Sequence, residues 1–350
     1  MKKTKFIATV VSIALACVLC IGLTACGSDA ANVKGDEITA GEWAAAFSAG
    51  NFKNVKIETE TINEGEFFTE GANDKLTTKT TYVIADGKQY MKTEATVQRG
   101  SEELETMAEK MNREVYISAT EGDYSVWYTQ DADNKWQMSL NHGDIASEIV
   151  ESLTVMASMF DKFYYESENN GYELIEQSSY GNTTYKFKHG KLAATYHPPF
   201  NYKENDTLAY GVTTTQSMTI TYGDQKVTIP NVEGTTPYNN KVWQTYQLYV
   251  EGVNDGNPFN IDDHSIPGIG RLYRQTFQVV TSPNGIVRAH INGDDVTGIW
   301  GMRADGIEFY SESFGDYPIN IEYDGTYLTM EVPGDFDGFK LTAVLERVQD

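Results

Sequence analysis

Apolar and polar residues alternate at every second position along most of this chain, and that period predicts strands rather than helices. The first such run is Val55–Thr59. A hairpin follows, Lys79–Ile84 and Gln89–Lys92, with Asp86-Gly87 at its tip, a pair that accepts the positive φ of a tight primed turn. Glu114–Thr120, Tyr124–Gln130 and Lys135–Leu140 continue the meander. Further along, the pattern predicts Tyr172–Gln177 and a hairpin of Thr183–Phe187 and Leu192–Tyr196 across His189-Gly190, ended by His197-Pro198-Pro199. Met218–Tyr222 and Lys226–Pro230 form the last expected pair, around Gly223-Asp224.

Three segments depart from this period. Thr39-Ala40-Gly41-Glu42 has the form of a capping box and opens a short helix with Trp43 and Phe47 on one face, closed by Gly50. Packing, rather than binding, is the expected role of Trp43. Residues 100–112 are charged and partly helical in pattern, which reads as a mobile connection. From Asp144 to Tyr164, Ile145, Ile149, Leu153, Met156, Phe160 and Phe163 recur at helical steps, and Val150 and Met159 widen the stripe. That predicts one long helix laid on a sheet. The same stripe, Ile149, Leu153, Met156, Met159, Phe160 and Phe163, is the candidate lining of an adaptable apolar site, since methionine accommodates varied ligand shapes.

Beyond the Asn-, Thr-, Gly- and Pro-rich stretch at 233–241, short alternating runs are divided by turn signals such as Pro283-Asn284-Gly285 and Tyr323-Asp324-Gly325. Leu328, Met330 and Val332 face one way, Tyr327, Thr329 and Glu331 the other, and Phe339, Leu341, Ala343 and Leu345 repeat the pattern. Seven or eight such strands argue for an up-and-down barrel, which removes sheet edges by closure. The expected class is mainly β with some helix (α+β): a curved antiparallel half-barrel sheet packed on one or two helices, then a small antiparallel β-barrel. The barrel either holds one small ligand or is filled by its own side chains, and filling is the expectation at this length.

The N-terminus changes the picture. Lys2, Lys3 and Lys5 precede the uncharged apolar run Phe6–Leu23, and Leu23-Thr24-Ala25-Cys26 follows. A basic start, an apolar stretch and small residues before a cut describe a signal peptide. With cysteine in that place the motif resembles the lipobox of bacterial lipoproteins. The resemblance implies cleavage between Ala25 and Cys26, acylation of Cys26, and attachment to the outer face of a cell membrane through a diacylglyceryl, N-acyl cysteine. The expected layout is a signal peptide at 1–25, a tether at 26–36, a first domain at 37–232, a linker at 233–241 and a second domain at 242–350.

Cleavage at that point removes three lysines and no acid, so the 27 Lys and Arg of the chain fall to 24 against 50 Asp and Glu, a net charge near −26. Such a surface repels nucleic acid and anionic headgroups, so attachment has to come from the acyl chains. Cys17 and Cys20 leave with the signal and Cys26 is acylated, which excludes a disulfide or a cysteine metal site and suits an envelope that makes few disulfides, as in many Gram-positive cells.

The order of elements from Glu42-Trp43 to Tyr222–Pro230 resembles LolA-like and mycobacterial lipoprotein-type half-barrels, which implies a lipid or acylated chain carried on a concave face. Val242-Trp243-Gln244-Thr245-Tyr246 and Gly298-Ile299-Trp300 stand where the small lipocalin-like domains of bacterial surface lipoproteins carry a tryptophan in a first and a middle strand. Catalytic signatures are missing. There is no His-Glu-x-x-His, no P-loop and no serine three before a lysine, and Gly268-Ile269-Gly270 lacks its third glycine because Tyr273 stands there. Asp131–Lys135 begins like a calcium loop but puts Lys135 in a ligand position, so turn roles are expected for its aspartates. No cofactor and no metal are expected. Three readings stay open: a non-catalytic lipid-anchored carrier of an apolar ligand, an anchored module that binds an envelope protein or glycan, and a hydrolase with an unrecognised carboxylate pair.

Overall fold

The computed structural model describes residues 33–68, 71–174, 182–201, 212–232, 237–238, 240–259, 265–266, 270–271, 277–291, 293–333 and 338–348. In chain order these form α1 (Ala40–Ala46), β1 (Val55–Gly65), β2 (Asp74–Ala85), β3 (Lys88–Arg99), α2 (Glu102–Met111), β4 (Arg113–Glu121), β5 (Tyr124–Gln130), β6 (Trp136–His142) and α3 (Ile145–Thr154). Then come β7 (Phe163–Glu166), β8 (Gly171–Leu174), β9 (Thr184–Lys188), β10 (Lys191–Asn201) and β11 (Thr213–Tyr222). The remainder holds β12 (Lys241–Val250), the short pair β13 (Ser265–Ile266) and β14 (Gly270–Arg271), and β15 (Phe277–Thr281), β16 (Ile286–Ile291), β17 (Asp294–Arg303), β18 (Gly306–Tyr310), β19 (Ile319–Tyr323), β20 (Tyr327–Glu331) and β21 (Leu341–Arg347). The protein is mainly β, a large curved antiparallel sheet with few helices and a closed eight-stranded antiparallel barrel. No helix among the described residues is long and apolar enough to cross a membrane.

The chain groups into two compact units, one up to Glu114 with Ile145–Val227, the other Val115–Asp144 with Thr228 onward. The span 37–232 expected as the first domain therefore draws on both units.

In the first unit the strands run in the order β3-β2-β1-β11-β10-β9-β8-β7. The hairpin of β2 and β3 turns at Asp86 (φ 52°) and Gly87 (φ 73°), as its sequence predicts. Lys226–Pro230 forms no strand. The reason is topological: β11 bonds β1 along one side and β10 along the other, which leaves no edge for a hairpin partner. The Pro198-Pro199 pair does not end β10, which runs to Asn201 with its register shifted between His197 and Phe200. Such an irregularity tolerates residues that lack an N–H.

The helices of this unit are fixed by caps and by one-sided burial. Thr39 Oγ1 accepts from the Glu42 N–H at 3.3 Å and Glu42 Oε2 accepts from the Thr39 N–H at 2.8 Å, the capping box foreseen for α1. The bond from the Thr39 N–H and a further one from the Thr39 hydroxyl, both to Glu42 Oε2 at 2.8 Å, hold the Glu42 carboxyl below the usual carboxylate range. Residues 100–112 are not a loose connection. Ser101 caps α2, and Leu104, Met107, Ala108 and Met111 bury against Leu76 and Ala95 of the sheet. The expected tether is anchored before its end, since Gly35 N–H donates to Asn170 O at 2.7 Å and Asp36 N–H to Phe187 O at 2.8 Å.

The second unit is the barrel with the meander β4–β6 against it. Trp243, Phe277, Trp300, Phe309, Leu328 and Leu345 occupy the barrel with no more than 1% exposure, so large side chains fill the interior. Trp300 and its neighbours at 298–301 are buried on both faces of β17. Glycine explains the outer contact: a Cβ on Gly301 would run into the backbone of Ser139 and Leu140 in β6. Val126, Tyr128, Met138 and Leu140 of the meander accordingly share one core with the barrel.

Candidate functional site

Cys26 and Ala25, the expected acylation and cleavage residues, lie outside the described residues. The apolar stripe does not form the single helix expected over Asp144–Tyr164. α3 ends at Thr154, tight 3₁₀ turns follow at Val155–Ser158 and Phe160–Lys162, and Phe163 already opens β7. At the break, the Thr154 hydroxyl donates to Glu151 O at 3.0 Å, and Thr154-Val155 is a β-branched pair that helices disfavour. The tail is then free to fold onto Trp43.

Trp43 is the centre of this region and is fully buried, the packing role its sequence predicts. Its ring lies 4.7 Å from that of Phe163, 5.1 Å from Phe47, 5.2 Å from Phe187 and 5.7 Å from Phe160, with Tyr172 and Tyr185 completing the cluster. Its indole N–H donates to Met156 O at 2.6 Å. Of the six stripe residues, Phe160 and Phe163 meet at Trp43, with Met156 joined through its carbonyl. Ile149 and Leu153 remain buried on α3, whose first turn is held from the sheet by Gln89 Oε1 accepting from the Ala146 N–H at 2.8 Å. Met159 and Phe160 are half-buried, and Val155 is 55% exposed.

The sheet face beneath these helices changes character along its strands. Register places Gln89, Ile84, Val55 and Tyr222 in one row and Met91, Tyr82, Ile57 and Ile220 in the next, an apolar floor with tyrosines. Burial pushes the hydroxyls of Tyr82, Tyr185 and Tyr222 well above the ordinary phenol range, so they stay neutral donors. The following row is Thr93, Thr80, Thr59, Met218 and Thr195, and the one after it Ala95, Thr78, Thr61, Gln216 and His197. These polar residues are buried apart from the half-buried Thr61. Thr59 Oγ1 donates to Thr80 O at 3.3 Å, and the Thr80 and Thr93 hydroxyls lie 3.3 Å apart. On the opposite face the same strands carry ion pairs, Lys79 with Glu60 at 2.7 Å and Lys75 with Glu64 at 2.6 Å.

These hydroxyl rows escaped sequence reading. The available signal was the threonine density of Thr59-Glu60-Thr61, Thr77–Thr81 and Thr213–Thr215, which taken strand by strand describes an ordinary β-branched surface.

Other candidates resolve into structural roles. Asp131 Oδ1 accepts from the N–H groups of Asp133 and Lys135, both at 2.9 Å, and Oδ2 from Gln137, so the calcium-like loop is an aspartate-closed turn. Among the described residues no group of three or more His, Cys, Asp or Glu is placed to hold a metal ion.

No protein-family model matches the chain, and no curated protein matches it. Among solved structures, kievitone hydratase from Nectria haematococca aligns at 10% identity over 94% of this chain and 96% of its own, with a TM-score of 0.16. A putative AttH from Nitrosomonas europaea aligns at 8% identity over 91% and 99%, with a TM-score of 0.15. Scores this low carry no argument about fold or activity.

Proposed function

We propose that the chain is a membrane-anchored extracytoplasmic lipoprotein, non-catalytic, that binds an apolar or lipid-type ligand on the helix-bearing face of its first unit. Cys26 supplies the anchor and the packed barrel acts as scaffold. The observation that carries this reading is the graded face itself. It is aromatic and aliphatic around Trp43, and it continues beyond the apolar rows into buried hydroxyls, an amphipathic surface suited to an amphipathic ligand. Met159, Phe160 and the exposed Val155 stand at the border of the cluster and are the side chains placed to meet an acyl chain.

Native mass spectrometry of the chain recovered from its own membrane tests the proposal. An added mass of lipid size, lost in Met159→Gln, supports it. A mass explained by the polypeptide and its cysteine acylation alone sinks it. Attachment is tested separately by labelled palmitate, which Cys26→Ser has to abolish.

A second reading, an anchored module that binds an envelope protein or glycan with no internal ligand, is favoured by Tyr317, which is 80% exposed in the loop before β19. A clean polypeptide mass together with a partner crosslinked at Tyr317 would transfer the function to that surface.

A further inference from the structure

We infer that the threonine rows of the first unit bind the head of the ligand, and that this head is uncharged and rich in hydroxyl groups, as in a glycosylated diacylglycerol. The inference rests on the carrier reading and specifies its ligand class.

Three observations support it. First, Thr78 is 9% exposed and its hydroxyl has no hydrogen-bond partner. A buried unpaired hydroxyl is costly, and native proteins seldom keep one without a use. It shares a sheet face with Thr80, Thr59 and Gln216, which stand in or beside its row. Second, the ten positions of the two rows contain no Lys, Arg, Asp or Glu, while the opposite face of the same strands is paired charge. A site for a phosphate or carboxylate head needs cations or converging backbone N–H groups. Third, Asp74, farther along β2 on the same face, is buried and keeps Oδ2 unpartnered. That oxygen is an acceptor open to a hydroxyl donor. At the apolar rows Gln89 bonds the first turn of α3 and Phe52 packs on Tyr222 with ring centroids 6.4 Å apart, whereas α2 packs on Leu76 and Ala95.

Calorimetric titration of the full chain with three short-chain probes tests the inference: glucosyl-dioctanoylglycerol, dioctanoylphosphatidylglycerol and trioctanoylglycerol. The glucosyl probe is expected to bind tightest. Thr78→Val removes the hydroxyl at nearly constant volume and should weaken that probe about five-fold, the effect of one hydrogen bond of ~1 kcal/mol. It should leave trioctanoylglycerol unchanged, with thermal stability equal to or above that of the parent chain, because the hydroxyl has no internal partner to lose. Thr78→Ser keeps the donor and should keep the affinity. Stronger binding of the phosphatidyl probe, no effect of Thr78→Val, or an equal loss in Thr78→Ser overturns the head assignment and leaves the carrier reading in place. Binding of none of the three probes overturns both.

Discussion

Trp43 donates its indole N–H to the carbonyl of Met156, 113 residues later, at 2.6 Å. One side chain thereby joins the first helix to the 3₁₀ turn that replaces the end of α3. The same carbonyl accepts from the Met159 N–H at 3.0 Å, the bond that closes the 3₁₀ turn, so the indole docks onto a tight turn rather than onto a continuing α-helix. The candidate site is therefore organised around Trp43 rather than along one helix face.

Replacing that ring separates its two roles. Trp43→Ala should cost about 3–5 kcal/mol, as expected when a fully buried aromatic is deleted. Trp43→Phe keeps much of the volume but removes the indole bond to the Met156 carbonyl, which keeps its bond from the Met159 N–H, for about 0.5–1.5 kcal/mol. Urea unfolding at constant m-value checks both. No loss in Trp43→Phe would show that the hydrogen bond contributes nothing measurable.

Gln89 reaches from β3 to the first turn of α3, so Gln89→Leu should release the helix from the sheet. Loss of one capping partner is worth about 0.5–2 kcal/mol. Hydrogen exchange should report it locally, with faster exchange at Ala146 and the next turn and unchanged protection in β1. Uniform acceleration throughout the unit would mean that Gln89 supports the whole fold and not this helix end.

The parts of the fold legible in the sequence are those that local chemistry dictates. Tyr124–Gln130 and the Asp86-Gly87 turn are set by alternation and by φ, which neighbours in the chain dictate. Lys226–Pro230 alternates just as well, yet its pairing depended on whether β11 still had a free edge, a fact held by β1 more than 150 residues earlier. The same applies to the threonines. Thr59, Thr80 and Thr93 each look like solvent-facing strand residues, and only register stacks them on one buried face. The aromatic partners of Trp43 are legible as apolar positions, but their convergence is a tertiary event.

Tyr128 gives the second unit an alkaline limit. Its hydroxyl donates to Pro283 O at 3.1 Å, and burial pushes its pKa up to about 12. The unfolded phenol titrates near 10, so above that pH the unfolded chain loses the proton first. The contribution is complete below pH ~10 and is lost as pH rises through the folded value. Urea midpoints at pH 8 and pH 11 should differ less for Tyr128→Phe than for the parent chain. An equal fall in both would assign the alkaline loss to other groups.

Gly301 tests how closely the meander lies on the barrel. Because the atoms that a Cβ would meet are backbone of Ser139 and Leu140, no side-chain rotation can make room and the strands themselves have to part. Gly301→Ala should therefore destabilise by about 1–3 kcal/mol, the usual cost of overpacking, and toward the upper end. Gly41→Ala is the matching control. Gly41 lies in α1 with open space around its Cβ direction, and there the same change should stabilise by about 0.5–1 kcal/mol through helix preference. Urea midpoints that move in opposite directions for the two alanines would confirm the close approach of β6 and β17. If Gly301→Ala is as harmless as Gly41→Ala, the two strands stand farther apart than a glycine contact requires, and the shared core of Val126, Leu140 and Ile299 cannot be packed as described.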